Sequence, residues 1–138
     1  MKIMTLLMNY SFDNIRNFFS WYLGGLNDQL CALIIFITIS YLTKIICKID
    51  ENKFSIQVSL HEVSQKLLII VLVGFSNILD IYVFHDGSII RAITISYYIF
   101  SEGNFILKNI SQLGLVIPTT LKDILQNPYD KDNKNKKK

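Results

Sequence analysis

Three ionisable side chains stand inside long apolar runs: Asp80, Arg91 and Glu102. A charge at the centre of a membrane helix costs about 2.5–3.5 kcal/mol on insertion scales, so such residues face other helices or water. The chemistry open to them is pairing, hydrogen bonding between helices, or lining a wet path. Asp80 shares a helical face with Asn77 and Ser76. Arg91, Thr94, Tyr98, Glu102 and Asn109 recur at i, i+3, i+7, i+11 and i+18, close to one stripe. Asp80 precedes the centre of the intervening turn by about six residues and Arg91 follows it by about five. At ~1.5 Å per residue the two lie at similar depths. An Asp80–Arg91 ion pair that joins helices is therefore expected, ahead of a direct pore-lining role for either group.

Nothing else in the chain offers reaction chemistry. There is no G-x-S-x-G, H-E-x-x-H, P-loop or G-x-G-x-x-G. Asp123, Asp130 and Asp132 fall in or near a solvated tail, and Asp80 and Glu102 stand at different depths on different helices. They do not form a catalytic pair, and an enzyme is not expected. Cys31 and Cys47 sit at opposite ends of one expected helix, ~24 Å apart at ~1.5 Å per residue, beyond disulfide reach. No Cys/His cluster suggests a metal, and no cofactor is expected. His61 reads as a surface residue.

The elements that must position the polar residues are long and apolar. Leu67–Phe84 is 18 residues, or ~27 Å of helix. His85–Ser88 is a polar turn, and Ile89–Leu107 is similar in length to the first run. A bilayer core of ~30 Å needs about 20 mainly apolar residues, with ~17 tolerated. Two such runs back to back imply a transmembrane hairpin. Leu30–Ile46, 17 residues, is the first span candidate. Lys44 near its end is expected to snorkel toward headgroups rather than pair with Glu102.

The flanking segments are weaker. Residues 1–29 suit a helix in the headgroup region, with Ser11 as its N-cap and Phe12, Ile15, Phe19 and Tyr22 at helical spacing. Gly24-Gly25 is expected to end it, and Trp21 and Tyr22 to anchor it at the interface. A cleavable signal peptide fits poorly, since the apolar run is short and no A-x-A-like site follows. Residues 48–66 read as a polar connector on the membrane surface, although Phe54, Ile56, Val58 and Leu60 alternate as in a strand. Past Pro118, Thr119 or Thr120 could cap a short helix through Gln126. The last stretch, with Lys131, Lys134, Lys136, Lys137 and Lys138, reads as a disordered basic cytoplasmic tail.

Composition agrees. Of 138 residues 51% are hydrophobic and only 18% charged, against about 25% charged in soluble domains. The net charge of +3 does not argue for nucleic acid, because half of the 14 Lys and Arg lie at Lys108 or beyond. Such a tail is solvated or meets anionic lipid. With three spans, residues 1–29 and the 85–88 turn carry 2 basic residues, while the 48–66 connector and the C-terminal segment carry 10. The positive-inside bias puts the N-terminus outside and the C-terminus in the cytoplasm. The expected architecture is all-α: an integral membrane protein with about three transmembrane helices (30–46, 67–84 and 89–107). An interfacial segment at 1–29 precedes a membrane domain at 30–126, and a disordered basic tail at 127–138 follows.

The order of short motifs resembles the toxin-secretion and phage-lysis holins, particularly clostridial members encoded beside large secreted toxins. The family's D-Y-x-T-G stands as Ser40-Tyr41-Leu42-Thr43-Lys44, and its K-F/L-S-S connector start as Lys53-Phe54-Ser55. An Asp in the next span matches Asp80. The family's N-E-x-x-S-I-L-E-N appears across Ser101–Asn109, keeping Glu102, Ile106-Leu107 and Asn109, and G-L-P-I-P appears as Gly114–Pro118 with Val116 replacing one proline. The resemblance covers roughly Leu30 to Leu125. It implies a bacterial cytoplasmic-membrane protein that meets lipid, forms homo-oligomers and opens lesions, with a secreted toxin or an endolysin as cargo. Asn77, Asp80, Arg91, Thr94, Tyr98 and Glu102 are the candidate pore-lining or interhelical polar residues. The alternative is a non-pore holin antagonist or membrane anchor. Transport of small solutes by a compact oligomer is a third reading, disfavoured by the lack of internal symmetry.

Overall fold

The structure is a computed structural model and describes residues 1–85 and 87–126. The expectation of a disordered tail, with Lys131, Lys134, Lys136, Lys137 and Lys138, lies outside these residues. Among the described residues all regular structure is helical. α1 is Lys2–Leu23, α2 Asp28–Asp50, α3 Ile56–Leu79, α4 Ile89–Gln112 and α5 Thr119–Gln126; a π-helical turn, Asp80–Phe84, prolongs α3.

The boundaries have identifiable causes. Asn27 accepts from the Leu30 N–H at 2.9 Å and so caps α2. Ser55 does the same for α3 through Val58 N–H at 3.2 Å. Gly24, at φ 79°, ends α1 in the left-handed conformation that glycine adopts without a Cβ penalty. Ser11, expected to start that helix, instead lies inside it, because apolar spacing continues back to Ile3. The 48–66 connector contracts to a short link. Ser55 starts α3, and residues 56–66 extend the apolar run as helix rather than lying apart on a surface. α5 begins at Thr119 itself, directly after Pro118.

α2 and α4 run in the same direction and form the largest helix–helix contact, with α3 antiparallel to both. A small apolar core lies among them: Leu23, Leu30, Leu33, Ile69, Val73 and Ile95, flanked by Tyr22, Ile37, Ile70, Tyr98 and Ile99. α1 joins only through its last turns. Gly74 makes this possible, because a Cβ there would fall inside the Tyr22 ring. The Tyr22 hydroxyl donates to the Val71 carbonyl at 2.9 Å.

The distribution of polarity is inverted. Ser40, Ser76, Asn77, Asp80, Arg91, Glu102 and Asn109 are buried, while Ile35, Leu42, Ile46, Leu67, Leu68, Val71 and Phe75 are exposed. Exposed hydroxyls bond back onto their own helices: Thr38 donates to the Ile34 carbonyl at 2.8 Å and Ser64 to the Leu60 carbonyl at 2.8 Å, which satisfies their donors without a partner outside the helix. So many large apolar side chains on the outside mark a membrane or protein contact. Two helices, Asp28–Asp50 and Ile56–Phe84, are long and apolar enough to cross a bilayer.

Replacing Gly74 by Leu should detach α1, lowering the melting temperature of the detergent-solubilised protein. Tyr22→Phe, which loses only one hydrogen bond worth about 0.5–1.5 kcal/mol, should shift it less. Equal melting points for Gly74→Leu and the parent would show that the Tyr22 contact does not hold α1.

Candidate functional site: a polar seam inside the helix bundle

The buried polar side chains form three groups along the bundle. The first lies where α1 ends and the hairpin turns. Asp80, at the start of the π-helical turn, accepts from the Ile90 N–H at 3.0 Å and the Arg91 N–H at 2.8 Å. Its carboxylate thus caps the N-terminus of α4, where free N–H groups and the helix dipole favour negative charge. Ser88, the residue next to that end, supplies no side-chain cap. The Arg91 guanidinium points the other way. Its Nε donates to the Leu23 carbonyl at 2.5 Å and an Nη to the Gly25 carbonyl at 2.8 Å. Asn77 adds Nδ2 bonds to the Trp21 and Tyr22 carbonyls at 3.3 and 3.0 Å.

The expected Asp80–Arg91 ion pair is therefore not formed. Each charge is taken up by a helix terminus, Asp80 by the start of α4 and Arg91 by the end of α1. Both side chains are almost wholly buried, at 2% and 3% exposure. Gly24 is packed so closely here that a Cβ would meet Asn77 and Arg91 side-chain atoms.

The second group is small. The Ser76 and Thr94 hydroxyls meet at 2.8 Å across α3 and α4, one donating to the other. Each also lies within donating distance of a carbonyl of its own helix, Leu72 and Ile90 respectively, and the hydroxyl that accepts across the pair donates there. Tyr98 is partly buried and packs beside the apolar core.

The third group lies toward the other end. Lys66 Nζ is 2.6 Å from Glu102 Oε2 and 3.1 Å from Ser40 Oγ. It also lies 5.5 Å from the centre of the Phe105 ring, in reach of a cation–π contact. Side-chain exposure of the Lys66–Glu102 pair is 14% and 2%. Glu102 takes Lys66, not Lys44. Below it, Asn109 Nδ2 donates to Thr43 Oγ1 at 3.0 Å, and the Cys47 thiol to the Asn109 carbonyl at 3.2 Å. A cavity of about 490 Å³ adjoins this group, lined by Ser40, Lys44, Glu62, Lys66, Tyr98 and Glu102 among others. It is open on one side, and Leu68, Leu72 and Phe105 complete its largely apolar wall around those polar groups.

Of the six candidate residues, the structure places Asn77, Asp80 and Arg91 in one group, Thr94 in the second and Glu102 in the third, while Tyr98 packs against the apolar core and borders the cleft beside Glu102. Lys66 and Ser40 were missed. Lys66 looked like a connector charge because the apolar run appears to start after it. The signal was the helical spacing Glu62–Lys66–Ile69–Val73, which carries the α3 face through it.

The arrangement can hold polar groups within a lipid-facing bundle and can admit water at one end. No group of three or more His, Cys, Asp or Glu able to hold a metal occurs among the described residues.

Comparison with known proteins adds a family. A model described as the bacteriophage holin family matches residues 17–128. An uncharacterised protein of Clostridium perfringens is 29% identical over 115 residues, covering 83% of this chain and 85% of that one. An uncharacterised 14.9 kDa protein of the same species, from the region 3′ of nagH, is 29% identical over 113 residues, covering 82% and 86%. A third, from Clostridium acetobutylicum, is 29% identical over 107 residues, covering 78% and 86%. No solved structure matches.

Removing one member of the Lys66–Glu102 pair leaves the other charge buried without its partner, which typically costs about 3–5 kcal/mol. Glu102→Gln and Lys66→Met should each destabilise the solubilised protein strongly. The double variant should lose less than the two losses added, as read from thermal melts in a double-mutant cycle. Simple additivity would remove the pair from the account.

Proposed function

The chain belongs to the bacteriophage holin family, and from that premise we propose that it oligomerises in the bacterial cytoplasmic membrane and permeabilises it. The observation that carries this reading is the inverted bundle: a polar seam from Arg91 to Asn109 enclosed by an apolar exterior. Such a molecule inserts as a single copy with its polar groups satisfied. It also holds the material for a wet wall once copies gather.

The same reading makes α4 a third span beside α2 and α3. Its 24 residues reach ~36 Å at ~1.5 Å per residue. Its outer side presents Ile89, Ile93, Tyr97 and Phe105, while Arg91, Glu102 and Asn109 turn inward to partners. α1 then lies at the outer interface. Its exposed Phe18, Phe19 and Trp21 suit the headgroup boundary. Moving Lys66 from the connector into the bundle lowers the basic count from 10 to 9 against 2. The charge bias still favours an outside N-terminus and a cytoplasmic C-terminus. The cargo is a toxin or an endolysin, as in the holins that the sequence resembles.

In a lesion, Asn77, Asp80, Arg91, Thr94, Tyr98 and Glu102 exchange protein partners for water. Inducible expression in a bacterium, followed by membrane potential and release of a cytosolic reporter with an endolysin co-expressed, tests the proposal. Abrupt depolarisation with reporter release is expected, and Asp80→Asn with Arg91→Gln should alter its onset. Depolarisation without protein release would mean a small channel. No depolarisation, with insertion verified, would favour an antagonist or anchor.

A further inference from the structure

α5 folds back along α4. Leu125 reaches Gly103 so closely that a Cβ on the glycine would lie 3.0 and 3.2 Å from the Leu125 methyls and 3.3 Å from the Phe36 ring. Beside it, Asn104 Nδ2 donates to the Leu125 carbonyl at 3.1 Å. That carbonyl is one of the last in α5, which lack partners within their own helix. Gly103 lies nine residues before Gln112, or ~14 Å along α4. The seat is therefore on the flank of the bundle, well away from its end. The link from Leu113 to Pro118 reverses through Gly114 at φ 90°. It leaves Leu115 and Val116 66% and 95% exposed. Asn104 Oδ1 is buried and has no hydrogen-bond partner among the described residues.

We propose that this seat is exchanged between copies, with α5 of one chain docking on the Gly103–Asn104 flank of the next. The proposal rests on the oligomerising reading above and supplies its interface. The contacts are the same within a chain and between chains, so local concentration decides the partner. Six linking residues extend to ~20 Å, and packed helices lie about 8–10 Å apart, so a neighbour's flank is within reach. Extending the link also places Leu115 and Val116 between copies, removing apolar surface from solvent. Each chain gives one α5 and receives one. An interface of that head-to-tail kind closes into a ring or continues as an open array.

The test uses full-length chains in membranes, with Cys31 and Cys47 changed to Ser. Copies carrying Asn104→Cys and one tag are co-expressed with copies carrying Leu125→Cys and another, then treated with a short bis-maleimide. A second pair, Leu107→Cys with Leu121→Cys, lies one turn along in the antiparallel register and leaves the seat intact. A cross-linked dimer bearing both tags, lost when either cysteine is absent, is the expected result. Native gels of untreated samples report oligomers independently. Oligomers without the two-tag product for either pair overturn the exchange and leave the permeabilising reading standing. Absence of oligomers overturns both.

Discussion

A backbone carbonyl at a helix end has no partner within its own helix, and inside a lipid-facing bundle it must find one. Arg91 and Asn77 answer that demand for the end of α1, and Asp80 answers the matching demand of the N–H groups that open α4. The rest of the upper bundle follows from this. α1 must stop at Gly24, where no Cβ obstructs Asn77 and Arg91. Tyr22 must lie on Gly74, and the hairpin must return so that residue 91 is level with residue 23. An Asp80–Arg91 pair would have neutralised two charges and left both helix ends bare. Spending each charge on a terminus satisfies two sets of backbone groups as well as the charges.

Much of this was legible in the residues. The helices and their apolar runs follow from length and hydropathy, and the polar stripe on α4 follows from a spacing near 3.6. What was not legible is pairing. Depth arithmetic brought Asp80 and Arg91 level, but depth does not say which way a side chain points, nor that a third helix would end beside them. Lys66 shows the opposite failure. A lysine before an apolar run reads as the polar edge of a span. Only the packing of α2 against α4, which brings Ser40 and Glu102 together, makes the eleventh residue of α3 an interior cation. Ser11 was misplaced because a capping residue type was given weight over the apolar residues before it.

The satisfied seam alters the physics of opening. If polar residues faced lipid in the single copy, association would be driven by their escape from it. Here they already have partners: Lys66 with Glu102, Ser76 with Thr94, and Arg91 with carbonyls. Assembly into a wet lesion then exchanges one set of hydrogen bonds for another, and the net change is a small difference between large quantities. Under the permeabilising role proposed above, association would therefore have to draw on contacts between copies rather than on escape of polar groups from lipid.

The three groups in the seam are unequal in that exchange. Arg91 is tied to α1 and cannot turn to water unless the end of α1 loses its carbonyl partners. Ser76 and Thr94 each have an acceptor within their own helices, the Leu72 and Ile90 carbonyls, so separating α3 from α4 there strands no donor. The Lys66–Glu102 pair already borders an open cleft, and wetting it separates charges that water solvates well. Under the permeabilising role proposed above, opening would therefore begin at the Glu102 end and reach the Arg91 end last. In the proposed lesion the α1 dock is the last restraint to yield, and Asn77, Asp80 and Arg91 would meet water only after it has.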